Sequence, residues 1–150
     1  MMLKRSIVLI LTVFASGCGA LGVSLTDKNV TTCVLAKNVI KDKDNVAGPS
    51  GITDTYSLED KVCIYTSFSW DDIDKEGGAQ SFEYKWYTGN KLVAKRSSDG
   101  NFKNPPQHTW HCFIASSFGL GSHSVEMYAN KKLIASKHFT VQDKAKEPSK

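Results

Sequence analysis

Four carboxylates and a glycine stand at the spacing of a calcium loop between residues 72 and 83. The run is Asp72-Ile73-Asp74-Lys75-Glu76-Gly77, closed by Glu83. Carboxylates at loop positions 1, 3, 5 and 12, with glycine at 6, let oxygen ligands converge on one hard cation. Three departures weaken that chemistry here. Position 5 is Glu76, longer than the usual Asp, Asn or Ser. Position 8 is Ala79, where a larger apolar residue is usual. Glu83 falls inside a predicted strand, with no helix on either side. The competing reading is a solvated acidic turn joining two strands, where Gly77-Gly78 permits unusual backbone angles.

The histidines His108, His111, His123 and His138 offer a second metal chemistry. His108 and His111 differ by three, so on a strand they point to opposite faces. A two-residue turn at Asn130-Lys131 sets His123 directly across from His138. A longer loop, or an offset of one residue, separates them, and Lys131 is a poor choice for positive φ. A facing pair is a weak metal site or a pH-sensitive contact. An unpaired one is two half-exposed strand residues.

Cysteines 33, 63 and 112 offer thiol chemistry. A nucleophilic thiol needs a histidine partner and an electropositive setting. His111 adjoins Cys112, but adjacent strand residues point to opposite faces. Outside the cytoplasm three cysteines allow one bridge and leave one thiol over, and the sequence leaves the pair open. Otherwise they are buried thiols acting as small apolar residues. Tyr56, Tyr65, Tyr87, Phe102 and Trp110 either line a recognition surface or fill a core; a small β domain needs about that many core aromatics. There is no Gly-x-Ser-x-Gly elbow, phosphate loop, HExxH or rigidly held carboxylate pair. The expectation is a protein that is not an enzyme.

The elements that must hold these residues read as β. Val, Ile, Thr, Tyr, Phe and Trp gather in short runs separated by Gly, Asn, Asp and Pro. No window carries a helical stripe. Strands are predicted over residues 31–40, 61–70, 80–87, 91–95, 109–115, 122–128 and 133–141. Loops are predicted over 41–59 and 97–107. In residues 80–87, Phe82, Tyr84 and Trp86 alternate with Ser81, Glu83 and Lys85. About seven such strands predict an all-β fold, a two-sheet antiparallel sandwich.

Tyr84-Lys85-Trp86-Tyr87, Trp110, Gly121-Ser122-His123-Ser124-Val125, Leu133-Ile134-Ala135 and Phe139-Thr140-Val141 together resemble small bacterial envelope domains with an immunoglobulin-like fold. The resemblance covers about half the chain, and its residues are mostly structural. It implies an immunoglobulin-like sandwich with Trp86 as the central aromatic. It implies no activity. It also places Cys63 and Cys112 on neighbouring strands of one sheet, as the candidate disulfide.

The first eighteen residues carry an address. Lys4 and Arg5 precede an apolar run from Ile7 to Phe14, and Ala15-Ser16-Gly17-Cys18 follows. A basic start, a short apolar core and small residues at the cut make a secretory signal peptide. The apolar run is too short to span a bilayer, which takes about 20 residues. Ser-Gly-Cys resembles the lipobox of bacterial lipoproteins, with Ala15 where Leu is usual. The resemblance implies cleavage after Gly17 and acylation of Cys18. Two or more acyl chains anchor a protein stably. Gly19 stands where an Asp implies inner-membrane retention, so in a host with two membranes the resemblance implies the outer membrane, facing the periplasm.

The expected organisation is a signal peptide at 1–17, lipidated cysteine and tether at 18–29, sandwich at 30–141 and disordered tail at 142–150. The chain of 150 residues has a formal charge of +4, and Lys4 and Arg5 leave with the leader. What remains is nearly neutral and lacks a basic cluster interleaved with aromatics, so nucleic acid is not an expected partner. The expected partners are the membrane, through the lipid, and another envelope protein. The expected function is a non-enzymatic structural or protein-binding module of the cell envelope. Alternatives are a periplasmic inhibitor or protective protein against a hydrolase or toxin, and a metal-binding envelope protein. No cofactor is expected beyond the lipid on Cys18, with calcium as the weaker reading.

Overall fold

A computed structural model describes residues 22–144. Nine strands follow one another: β1 (Val30–Lys41), β2 (Ala47–Ile52), β3 (Thr55–Ser57), β4 (Lys61–Phe68), β5 (Gly78–Thr88), β6 (Lys91–Phe102), β7 (Gln107–Ile114), β8 (Gly121–Ala129) and β9 (Lys132–Gln142). One sheet has the order β2-β1-β4-β7, the other β3-β9-β8-β5-β6. All pairs are antiparallel except β3 with β9. The fold is a two-sheet, immunoglobulin-like sandwich. Among the described residues no helix is long and apolar enough to cross a membrane.

The inward faces follow from period-two alternation. Phe82, Tyr84 and Trp86 on β5 meet Val62, Ile64 and Phe68 on β4, all buried. Trp86 is the centre: it stacks on Phe118 at 5.4 Å between centroids and meets the edges of Phe113 and Phe139. Phe68, Phe82 and Phe102 form a second aromatic group with centroids 5.4 to 5.9 Å apart.

Three segments differ from the expectation. The polar stretch 41–59 contains β2 and β3. It reads as loop because Gly48, Pro49, Ser50 and Gly51 carry no apolar alternation; β2 is an edge strand, where proline is tolerated. The predicted loop over 97–107 is mostly strand, since β6 runs unbroken from Ala94 to Phe102 opposite β5. Its Ser-Ser-Asp-Gly-Asn run lies on an exposed edge, so burial does not select apolar residues there. Third, residues 22–29 are docked on the domain and are no tether. Leu25 is buried, the Val23 amide donates to the Gly77 carbonyl and Gln80 Nε2 donates to the Val23 carbonyl. At the other end Gln142 still pairs in β9, so the strand reaches one residue into the expected tail. The expected signal peptide at 1–17, residues 18–21 of the expected tether and residues 145–150 of the expected tail lie outside the described residues.

The outer face of the four-stranded sheet is covered as well. Val34 pairs with Tyr65 on β4, and Lys41 pairs with Ala47 on β2. Seven residues of extended strand separate Val34 from Lys41, about 23 Å. Yet the Tyr65 hydroxyl donates to the Ala47 carbonyl at 3.0 Å. The β1–β2 hairpin therefore bends back over the sheet. This explains why β4 is buried on both faces from Val62 to Phe68.

Candidate functional site: an open strand edge and its polar face

The predicted calcium ligands do not converge. Asp72 is used by its own turn: its Oδ1 accepts from the Asp74 amide at 3.1 Å and its carbonyl from the Lys75 amide. Glu76 reaches Lys103 at 3.4 Å. From Gly78 the chain is extended, so Glu83 lies about 16 Å further along β5. There its two carboxylate oxygens take Lys85 and Lys95 at 3.3 and 2.8 Å. Among the described residues no group of three or more His, Cys, Asp or Glu is placed to hold a metal ion.

The second histidine arrangement also fails, for a local reason. The β8–β9 turn is the two-residue Asn130-Lys131, both at positive φ, 48° and 70°. Tyr128 pairs with Leu133, but Met127 pairs with Ala135. Ile134 is the extra residue of a bulge. The register beyond it shifts by one, so His123 faces Phe139 while Ser124 faces His138. His123 is buried and bonded to Thr88 Oγ1 and the Gly119 carbonyl; His138 is on the exposed side.

Cys63 and Cys112 are joined in a disulfide, directly opposite each other on β4 and β7. Cys33 is the free thiol among the described residues. It is half-buried and burial raises its pKa, against a hydrogen bond from Thr66. Cys18 lies outside the described residues. Of the five aromatics considered for a recognition surface, Tyr56, Tyr65 and Phe102 are core; Trp110 is exposed and Tyr87 half-buried.

What the structure does assemble is a polar face beside an open edge. On the outer side of the five-stranded sheet, Tyr87 and Tyr128 both donate to Glu126 Oε2, at 3.1 and 2.7 Å. Lys85 sits over the Tyr128 ring at 4.5 Å. These residues are cross-strand neighbours: Lys85 pairs with Glu126 and with Lys95, Glu83 with Tyr128 and with Ser97. Bonding to Glu126 pushes the Tyr128 pKa up to about 12, and burial raises that of Tyr87. Both phenols are donors at neutral pH, not bases. The hydrogen bond from Lys95 lowers the pKa of Glu83. Charges and donors are thus held in place by one another. A hollow of about 300 Å³ lies among Ser81, Glu83, Lys85, Ser97, Asp99 and Tyr128.

This face runs out to β6, which among the described residues is an edge strand paired on one side only. Most of β6 is exposed from Lys91 to Asn101. Such an edge offers a row of unpaired N–H and C=O groups. Natural edges are commonly guarded by lysines and other charges, by proline, by bulges or by a covering element; β6 has the first kind of guard, in Lys91, Lys95 and Arg96. Here β6 contains no proline, and its bulge lies at one end, opposite Trp86 and Tyr87. Phe102 anchors the other end in the core. Sequence reasoning missed this site because it lies in the backbone of a polar segment; the signal available was the length of turn-type residues that neither Pro nor a glycine pair interrupts.

No protein-family model and no curated protein matches the chain. Among solved structures it is similar to an immunoglobulin-like protein from Pseudomonas aeruginosa, at 12% identity with a TM-score of 0.45, covering 74% of this chain and 92% of that one.

Proposed function

We propose that the chain is a lipid-anchored protein of the cell envelope, held through Cys18 at the outer membrane and facing the periplasm. Its sandwich is non-enzymatic and binds another protein by strand addition along β6. The address rests on the lipobox-like residues 15–18. The binding mode rests on one observation: β6 is long, regular from Ala94 to Phe102 and, among the described residues, unpaired on its outer side. An extended segment laid there gains main-chain hydrogen bonds, and its alternate side chains meet the Lys95, Ser97 and Asp99 row.

Two measurements test the reading. Intact-mass analysis of the cell-made protein should show loss of residues 1–17 and acyl groups on Cys18; an unprocessed or unlipidated chain overturns the address. A photo-cross-linking residue at Ser97 should capture protein in the intact envelope, while one at Ser136 on β9 should not. Absence of any product from Ser97 overturns the binding mode.

A further inference from the structure

We infer that β6 pairs with β6 of a second copy of this chain, antiparallel, about a two-fold axis through Ser97; this rests on the reading of β6 as a docking strand and names its occupant. The argument is charge complementarity in a single register. Lys95, Ser97 and Asp99 are exposed and alternate on the same outer face of the sheet. When two identical antiparallel strands meet about an axis normal to the sheet, residues of like facing stand opposite each other. Centred on Ser97, Lys95 of each copy faces Asp99 of the other, twice by symmetry. Centred on Lys95, the two lysines oppose each other. Centred on Arg96, Lys95 faces Ser97, and centred on Ser98 it faces Asn101. Only the Ser97 register converts both charged positions into cross-strand ion pairs.

The rest of the strand fits that register. Ala94 falls opposite Gly100, and Arg96 opposite Ser98, so the inner-facing pairs combine a small residue with a neighbour of any size. Residues 94 to 100 lie wholly within the unbroken stretch of β6. Lys95 contacts Glu83 on β5 at 2.8 Å, which keeps its ammonium on the outer face; the side chain is half-exposed and must swing from β5 toward the free edge to meet Asp99 of the second copy. Pairing would join the two five-stranded sheets into one continuous sheet, and both free β6 edges would disappear. The contact is one strand wide, which places it among the smaller, weaker interfaces.

The test uses the full chain in its native membrane. S97C puts a thiol on the symmetry axis and should give a covalent dimer on mild oxidation, well above the wild-type background from Cys33. S136C, on the exposed outer face of β9, should not. Adding K95D to S97C places like charges opposite each other twice and should lower the yield about tenfold. Adding D99K as well exchanges the two charges and should restore it to within about threefold. A yield from S97C no higher than from S136C overturns the pairing, as does a yield indifferent to K95D. Capture of a different envelope protein by a photo-cross-linker at Ser97, with no S97C dimer, overturns self-pairing and leaves β6 as a docking strand. Failure of both ends both readings.

Discussion

Cys63 and Cys112 face each other across two neighbouring strands, on the outer side of the four-stranded sheet. The bond therefore does not cross between the sheets. Trp86, at the centre, packs against the rings of Phe113, Phe118 and Phe139 instead of a disulfide. Cohesion between the sheets rests on aromatic packing, and the disulfide ties β4 to β7 over a separation of 49 residues.

That separation sets the first expectation. Closing a loop of this length removes chain entropy from the unfolded state worth about 4 kcal/mol. The C63A/C112A variant should lose stability of that order in urea unfolding while keeping its far-ultraviolet spectrum. A loss of about 1 kcal/mol or less contradicts this.

Trp86 is fully buried and its indole N–H has no partner among the described residues. Trp86→Ala should cost about 3–5 kcal/mol. Trp86→Phe forfeits volume but no hydrogen bond and should cost clearly less. Equal losses from the two contradict a role in packing alone.

His111 is held among Tyr84, Trp86 and Phe113, with Arg96 near. Burial first, and the Arg96 charge second, lower its pKa; burial likewise lowers that of His108. The folded state then binds a proton less readily than the unfolded chain. Stability should fall as pH drops below about 6.5, where unfolded histidine begins to protonate. His111→Phe should flatten the decline between pH 7 and 5, read by melting temperature, leaving the share due to His108. An unchanged slope contradicts the assignment. Asp60 and Glu83, whose pKa values are lowered, add loss only near and below pH 4.

The β8–β9 turn places Lys131 at φ 70°, a backbone region costly for a side chain and natural for glycine. Lys131→Gly should stabilise by about 0.5–1 kcal/mol. Asn130 should not be replaceable in the same way. Its Oδ1 accepts from the Ser81 amide and its Nδ2 donates to Gln80 Oε1, so Asn130→Ala should destabilise.

The separated carboxylates carry a further expectation. Millimolar calcium should move the melting temperature by about 1 °C or less, because a ligand stabilises only by binding the folded state. A shift of several degrees contradicts the placement of Glu83 away from Asp72.

Where alternation meets burial, the fold was legible in sequence. Phe82, Tyr84 and Trp86 name the core face of β5 directly, and Val125, Met127 and Ala129 do so for β8. β2 and the second half of β6, from Ser97 on, were not legible, since edge strands exposed to water need no apolar face and are written in Gly, Ser, Asp and Asn. The histidine register depended on a bulge at Ile134, which leaves no mark in the residue types. The calcium spacing was real as a string, but a string does not bend back when its last member lies in a strand. The disulfide pair came from fold resemblance, and the open edge from topology alone.

Hydrogen exchange along β6 tests the central claim most directly. In dilute isolated protein, the outward amides of residues 91–102 should exchange rapidly. In native envelope membranes they should slow about tenfold or more, while exposed loop amides elsewhere stay unchanged. Identical rates for β6 in both settings contradict strand addition at this edge, whatever the partner.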